Sequence, residues 1–152
     1  MSSPVGRNDI VVGAGADPAG ADTIVELLTL GLSAWTERDA DRRRKILADC
    51  CAPDVVYVSP LGAATGLDQF TDLIGEVQRG YPGYRPVRTT AIDLHHRNAR
   101  LEWAFRDSAG RTTLTGLDIL VFSDEPLIVA MTAFFGPTPP IRYTYGSVGL
   151  PR

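Results

Sequence analysis

The second half of the chain reads as four strands joined by short turns, and this pattern constrains the fold most. Runs rich in β-branched, aromatic and aliphatic residues alternate with short breaks of polar residues, glycine and proline. Such breaks are typical of hairpin turns, which join antiparallel neighbours. We therefore expect an antiparallel meander whose strands span residues 87–95, 99–106, 111–122 and 127–135.

Helical periodicity marks the first half of the chain. Apolar residues recur at helical spacing from Ile24 to Trp35, with Asp22 or Thr23 available as an N-cap. Further helices are predicted over 40–51 and from Leu67 to about residue 80, separated by a short strand at 55–59 and a loop at 60–66. Helices segregated from an antiparallel sheet indicate an α+β fold.

The two ends of the chain differ from the body. Residues 1–20 are rich in glycine, alanine, proline and aspartate and are predicted to be a flexible lead, whereas 137–152 is predicted to be an extended, proline-rich tail. The tail can lie across its own domain, residues 21–136, or across a partner subunit. Residues 10–15 resemble the start of a dinucleotide-binding fingerprint. The third glycine is missing and Pro18 interrupts the expected helix, so we reject that interpretation.

Composition limits the partners. The chain has 152 residues, 22% of them charged, and a net charge of −3, which gives no reason to expect nucleic acid or an anionic membrane. The basic run at 42–45 is flanked by acidic residues and is interpreted as a solvated helix face. No apolar stretch is long enough to cross a bilayer, and the N-terminus lacks a signal-peptide pattern, so we expect a cytoplasmic protein.

The cysteines predict neither a disulfide nor a metal site. Cys50 and Cys51 are adjacent, and adjacent cysteines rarely close a disulfide because the resulting ring is strained. A zinc site needs a second pair of cysteines or histidines at suitable spacing, and the sequence has none. We expect two buried structural thiols, no metal and no cofactor.

Asp118 is the strongest candidate for chemistry, because it is a single carboxylate inside an apolar strand. A buried carboxylate must be paired, hydrogen-bonded or protonated, and a pocket-facing one has a raised pKa. Such a group can act as an acid, a base or a hydrogen-bond donor to an oxyanion. The alternative is a strand-edge aspartate that faces water or caps a backbone amide.

Several short motifs follow one another in a characteristic order. They are APDVVYVSP at 52–60 leading to Gly66, LDQF at 67–70, LEWAF at 101–105, GLDI at 116–119 and MTAFFG at 131–136. Their order and spacing resemble the nuclear transport factor 2-like superfamily, in its SnoaL-like polyketide cyclase and ketosteroid isomerase-like branch. The resemblance covers about residues 22–136.

This resemblance implies a cone, in which a curved antiparallel sheet and three N-terminal helices enclose a hydrophobic pocket. Successive side chains of a strand point to opposite faces of the sheet, so every second residue of each strand is assigned to the pocket side. Gly116, on the same face as Asp118, is expected to leave room for a ligand beside the acid. The predicted ligand-binding residues are Tyr57, Ser59, Leu101, Trp103, Gly116, Met131 and Phe135.

The resemblance also bears on the reaction. Ketosteroid isomerases combine a protonated aspartate, a tyrosine and a second, base aspartate. Asp118 falls on the position of the protonated aspartate, but Ser59 stands where the base belongs. The first helix offers Leu28, Gly31, Leu32 or Trp35 where the tyrosine belongs. With two of the three groups unmatched, the sequence argues against steroid isomerisation.

A SnoaL-like reaction needs only one acid/base carboxylate, which Asp118 can supply. His95 is either a helper in proton transfer or a surface histidine of a hairpin. We expect the chain to bind a small hydrophobic molecule, polycyclic or an aromatic carbonyl compound, and to form a homodimer, as the resemblance implies. The sequence leaves open whether it is a cofactor-independent isomerase or cyclase with Asp118 as catalytic residue, or a non-catalytic ligand-binding or dimerisation domain.

Overall fold

Eight strands form one mixed, curled sheet that carries three helices on one face. The structure is a computed structural model and describes residues 9–142. The α+β fold and its three helices are confirmed. In chain order the elements are β1 (Ile10–Val12), α1 (Ala21–Ala34), α2 (Ala40–Cys50), β2 (Cys51–Ser59), β3 (Gly62–Thr65), α3 (Leu67–Gly80), β4 (Arg85–Arg88), β5 (Ile92–His95), β6 (Asn98–Arg106), β7 (Thr112–Phe122) and β8 (Ile128–Phe135).

The strand order is β1-β5-β6-β7-β8-β2-β3, with β4 also paired to β6. The predicted hairpins β6–β7 and β7–β8 pair antiparallel, but β8 returns beside β2 in parallel, as does β1 beside β5. A parallel neighbour arises because the segment between β2 and β8 crosses the whole sheet. The sheet therefore curls around one core, which lies between its inner face and the helices.

The first predicted strand of the meander is two strands. Both β4 and β5 pair with β6, through Arg88 opposite Trp103 and Asp93 opposite Arg100. Between these two pairs the β4–β5 segment advances five residues while β6 advances three. The two extra residues of the β4–β5 segment bulge out, and the edge of the sheet bends. Hydrogen bonds from Thr89 N to Glu102 O and from Glu102 N to Thr90 Oγ1 hold the bend.

Three local predictions need correction. Residues 10–12, placed in the flexible lead, form an edge strand whose Ile10 is buried opposite Ile92. The loop predicted at 60–66 contains β3, and β2 begins directly after α2, so Pro53 lies inside a strand. The predicted tail shows no regular secondary structure over 137–142, and its residues 143–152 lie outside the described residues.

The basic run at 42–45 is not wholly solvated. Arg43 is 4% exposed, and its guanidinium lies between α2 and α3, where its buried N–H groups need hydrogen-bond acceptors. It donates at 2.9–3.0 Å to the backbone oxygens of Glu37, Arg38 and Thr71 and to the side-chain oxygen of Gln78. The run is therefore a solvated face with one buried member, which anchors the helices.

The helices have apolar inner faces. The predicted end of α3 near residue 80 is confirmed, and Asp39 caps α2 by accepting from the backbone N–H of Arg42.

Cys50 and Cys51 are buried free thiols at the α2–β2 junction, as predicted. Within residues 9–142, none of the helices combines the length and the apolarity that crossing a membrane requires.

Candidate functional site

Asp118 lies in the middle of β7 and faces two adjoining cavities between the sheet and the helices. We call them the main cavity, about 40 Å³, and the deep cavity, about 20 Å³. Leu32, Trp35 and Asp118 line both. The main cavity is completed by Tyr57, Leu61, Val77, Pro86, Trp103, Phe105, Leu114 and Phe135. The deep cavity is completed by Leu28, Gly31, Leu101, Leu120, Ile128 and Met131.

The carboxylate of Asp118 is held by the indole of Trp103. Trp103 Nε1–H donates to Asp118 Oδ1 at 2.9 Å. Trp103 is paired across the strands with Gly116, two residues before the acid. A Cβ built on Gly116 would lie 2.1 Å from Trp103 Cζ2, so the missing side chain is what lets the indole reach Asp118. The predicted role of Gly116 is therefore corrected: the space above it belongs to Trp103 and not to a ligand.

The surroundings of Asp118 raise its pKa. Burial raises the pKa of the carboxyl to about 6, and the hydrogen bond from Trp103 lowers it only in part. The residue retains some accessible surface because it faces the cavity, yet the cavity walls are mostly apolar and replace most of its hydration. Near neutral pH the site therefore holds a carboxylate that can readily take up a proton.

Tyr57 provides the second ionisable group of the main cavity. It is buried on β2, and its ring stacks on Phe70 with centroids 4.8 Å apart. The pKa of its hydroxyl is raised to about 12, chiefly by burial; hydrogen bonding to Ser59 lowers it, and the negative charge of Asp118 adds to the rise. The hydroxyl is therefore neutral at physiological pH and can serve as a hydrogen-bond donor.

The predicted site residues divide into three groups. Tyr57, Trp103 and Phe135 line the main cavity with Asp118, and Leu101 and Met131 line the deep cavity. Gly116 and Ser59 do not line either one. The Ser59 hydroxyl instead lies beside that of Tyr57 and accepts from Leu61 N at 3.1 Å.

His95 is not near the acid. It is exposed at the end of β5, and its Nδ1 lies 3.1 Å from Nδ1 of His96 in the hairpin that leads to β6. Of its two interpretations, the surface histidine of a hairpin agrees with the structure. Within residues 9–142, no group of three histidine, cysteine or acidic side chains is placed to hold a metal ion.

The expected alternation of inward and outward side chains fails at one point in β8. Strict alternation back from Met131 would put Val129 and Leu127 on the inner face of the last strand, but a bulge shifts the register between Val121 and Phe122 of β7. Ile128 is fully buried instead and lines the deep cavity. A bulge reverses the alternation on one side of itself, and the sequence of β8 carries no mark of it.

Sequence reasoning did not include the helical residues of the two cavities or the rim residues of the main cavity among the ligand-binding residues. Leu28, Leu32 and Trp35 lie as a stripe at i, i+4 and i+7 on one side of α1 and its C-terminal end, and they were considered only as helix patterning and as positions where a tyrosine is missing. Leu61 and Pro86 lie in a turn and at a bent edge, where no periodicity could assign them. The helical stripe was a usable signal; the rim had none.

Comparison with known proteins agrees with this geometry. No protein-family model matches the chain, and no curated protein matches it. Among solved structures, a proposed isomerase of the SnoaL-like family from Agrobacterium tumefaciens is similar, with 26% identity and a TM-score of 0.70 over 74% of this chain and 97% of that one.

Two more distant structures show the same fold. A proposed SnoaL-like polyketide cyclase from Jannaschia is 14% identical with a TM-score of 0.61, over 81% of this chain and 91% of that one. A protein with a ketosteroid isomerase-like fold from Catenulispora acidiphila, in complex with trimethylamine, is 18% identical with a TM-score of 0.57, over 71% and 83%. The resemblance to the nuclear transport factor 2-like superfamily, SnoaL-like branch, is confirmed.

Proposed function

We propose that this chain, a nuclear transport factor 2-like fold of the SnoaL-like branch, binds a small aromatic carbonyl compound in the main cavity. We further propose that Asp118 moves a proton at the carbon next to that carbonyl. The observation that carries the proposal is Asp118 itself. It is the one carboxylate among the described residues of both cavities, and its pKa is raised to about 6 in apolar walls. A base is most effective when its pKa lies near the working pH.

The proton transfer needs no group from outside the cavity. Asp118 Oδ1 accepts the indole hydrogen bond, which leaves Oδ2 for the substrate. The carboxylate removes a proton from the carbon beside the carbonyl, and the electron pair of that C–H bond moves to the carbonyl oxygen. The protonated acid then returns the proton to carbon, at the same or another position. The neutral hydroxyl of Tyr57 is the donor in the same cavity that can stabilise the enolate oxygen.

The size of the cavity favours a small ligand. At about 40 Å³ the main cavity is well below the roughly 150 Å³ that holds a benzene molecule. An aromatic ring must therefore displace side chains at the rim, where Leu61 is 41% exposed and Phe135 is half-buried. A single ring requires less opening than a fused polycycle, so we place single-ring ketones first.

One observation favours a second function. Asp118 and Tyr57 are the ionisable side chains among the described residues that line the cavities, and Ser59 gives no second base. A single carboxylic acid can also bind and orient a carbonyl ligand without turnover, by donating one hydrogen bond to it. The alternative is therefore a non-catalytic ligand-binding domain built on the same cavity.

Deuterium exchange separates the two functions. Propiophenone is incubated in D₂O with wild type, Asp118→Asn and Asp124→Asn, a control in which the same change is made on an exposed aspartate. We expect exchange at the carbon beside the carbonyl, and a loss of about 100-fold or more in Asp118→Asn alone. Binding is followed separately through the Trp103 indole N–H signal. Binding without exchange supports the non-catalytic function, and no perturbation of Trp103 rejects both.

The outer face of the sheet supports the expected homodimer. Val56, Val58, Ile119 and Phe134 are large apolar residues with 40–55% exposure. The register aligns them: Val58 and Ile119 flank the same residue of β8, and Phe134 lies opposite Leu117. Arg100 and Glu102 border this patch on β6 with opposite charges; Arg100 already pairs with Asp93 at 2.8 Å, and a two-fold axis can bring Glu102 of a second copy to the same guanidinium. We propose that a second copy of this chain covers this patch.

A further inference from the structure

A second cleft, of about 200 Å³, opens beside the main cavity. It lies between the end of α1, the C-terminal part of α3 and the start of β4. We call it the arginine cleft and define it by Trp35, Arg38, Gln78, Tyr81, Tyr84 and Arg85. The cleft is about five times larger than the main cavity, so it has room for a part of a ligand that the main cavity cannot hold.

The arginine cleft and the main cavity share a wall. Trp35 lines both spaces. Phe105 of the main cavity packs edge-on against Tyr81, with ring centroids 5.5 Å apart, and stacks near Tyr84 at 5.6 Å. Arg85 directly precedes Pro86, which lines the main cavity. A molecule that extends from the main cavity past Trp35 therefore enters the cleft.

The charge of the arginine cleft is one-sided. Its lining contains two guanidinium groups and no carboxylate. Among the ion pairs within residues 9–142, none involves Arg38 or Arg85. The amide of Gln78 is already occupied, since it donates to the backbone oxygens of Trp35 and Glu37 and accepts from Arg43. The two arginines are therefore the charged groups left to recognise a ligand.

We propose that the arginine cleft binds a carboxylate carried by the ligand whose carbonyl end enters the main cavity. The inference rests on the proposed function and deepens it, because it names the substrate class as aromatic keto acids. A guanidinium binds a planar carboxylate through two parallel hydrogen bonds, and the rings of Tyr81 and Tyr84 flank the space with apolar surface. This arrangement also fixes direction: the charged end stays outside and the carbonyl end points towards Asp118.

A matched pair of ligands tests the inference. The probes are 3-benzoylpropanoate and its neutral methyl ester, titrated by calorimetry into the full chain. We expect the acid to bind about tenfold more tightly than the ester at low salt, because charge-assisted hydrogen bonds are the stronger ones. Arg38→Gln and Arg85→Gln should each remove most of this preference and leave the ester unchanged. Arg42→Gln, the same change on an exposed arginine of α2 outside the lining, should preserve it.

Two-dimensional NMR separates failure of the inference from failure of the proposed function. Addition of the acid should shift both the Trp103 indole N–H and the Arg38 and Arg85 side-chain N–H signals. A shift of Trp103 alone, or equal affinities for acid and ester, overturns the carboxylate site and leaves the cavity function standing. Shifts of the arginines alone overturn the shared site and the proposed function for this ligand. The absence of any shift overturns both.

Discussion

Trp103 and Asp118 are diagonal neighbours on adjacent strands, and the indole N–H of the first donates to the carboxylate of the second at 2.9 Å. The residue opposite Trp103 is Gly116, and the residue opposite Asp118 is Leu101. The indole crosses this diagonal by lying over the bare backbone of Gly116. These residues form one unit, in which the glycine makes room, the tryptophan positions the acid, and the apolar walls raise its pKa.

Removing the indole donor should raise the pKa of Asp118. In Trp103→Phe the carboxylate loses the hydrogen bond that favours its charged form, while apolar surroundings remain. We expect the Asp118 pKa, measured from its carboxyl carbon by NMR, to rise above the wild-type value of about 6. Trp35→Phe is the control, since Trp35 lines the same cavities without bonding to Asp118. An unchanged pKa in Trp103→Phe would show that the indole does not hold the ionised form.

Gly116→Ala should also disrupt the hydrogen bond between Trp103 and Asp118, by displacing the indole. The added methyl group would meet three atoms of the Trp103 ring at 2.1–2.7 Å, so the indole must move and its bond to Asp118 must break. We expect a loss of about 2 kcal/mol in the free energy of unfolding, the usual range for overpacking. The control is Gly80→Ala, where a Cβ meets nothing within 4 Å. Equal stability of the two variants in urea titrations would contradict the packing argument.

The raised pKa of Asp118 predicts how stability changes with pH. The unfolded-state pKa is about 3.9 and the folded-state pKa is about 6, so between these values the folded state binds more protons. The contribution of the Asp118 carboxyl to the free energy of unfolding is therefore greatest below about pH 4. It falls as the pH rises through about 6, and is lost at pH 7.

Asp118→Asn should therefore be more stable than wild type at pH 7, by about 2 kcal/mol, and nearly equal to it at pH 4. The measurement is urea unfolding of both proteins across this range, with Asp124→Asn as the exposed control. A difference that does not vary with pH would show that the Asp118 carboxyl is not desolvated. If Asp118 acts as a base, the exchange rate of propiophenone rises over the same range with a midpoint near pH 6.

The buried guanidinium of Arg43 should not be replaceable by an ammonium group. Arg43→Lys keeps the charge but loses the planar fork that reaches four oxygens, two in the turn between α1 and α2 and two in α3. We expect a loss of about 3 kcal/mol in unfolding free energy, because the charge stays buried while most of the hydrogen bonds to it are lost. The neighbouring exposed residue gives the control, Arg42→Lys, which should be neutral in the same thermal and urea titrations.

A charge on the outer apolar patch should abolish a homodimer. Phe134→Asp places a carboxylate at the 55% exposed position opposite Leu117, where a second copy would have to desolvate it. We expect sedimentation velocity to give a dimer for wild type and a monomer for this variant. Ile141→Asp, at a 92% exposed residue outside the sheet, should sediment as wild type. A wild-type monomer, or a dimer in both variants, would reject this face as the interface.

Much of the fold was accessible from local pattern. Period-two alternation placed Leu101 and Trp103 on one face of β6, the family resemblance assigned that face and Asp118 of β7 to the pocket, and helical spacing placed α1, α2 and α3 within a few residues. These signals are local because a strand or helix must present its apolar face to the core wherever that core lies. The split of the first meander strand and the bulge between β7 and β8 were not accessible, since a bulge depends on the partner strand.

By itself, the sequence determined the α+β class and an acid inside an apolar strand, because burial periodicity and residue polarity act at short range. Only the tertiary structure decided what surrounds that acid. Strand register brings Trp103 to Asp118 across Gly116, and chain packing brings Arg38 and Arg85 to one cleft beside the main cavity. The physical reason is that pKa, hydrogen bonding and cavity shape depend on neighbours that are distant in sequence, and folding alone sets those neighbours.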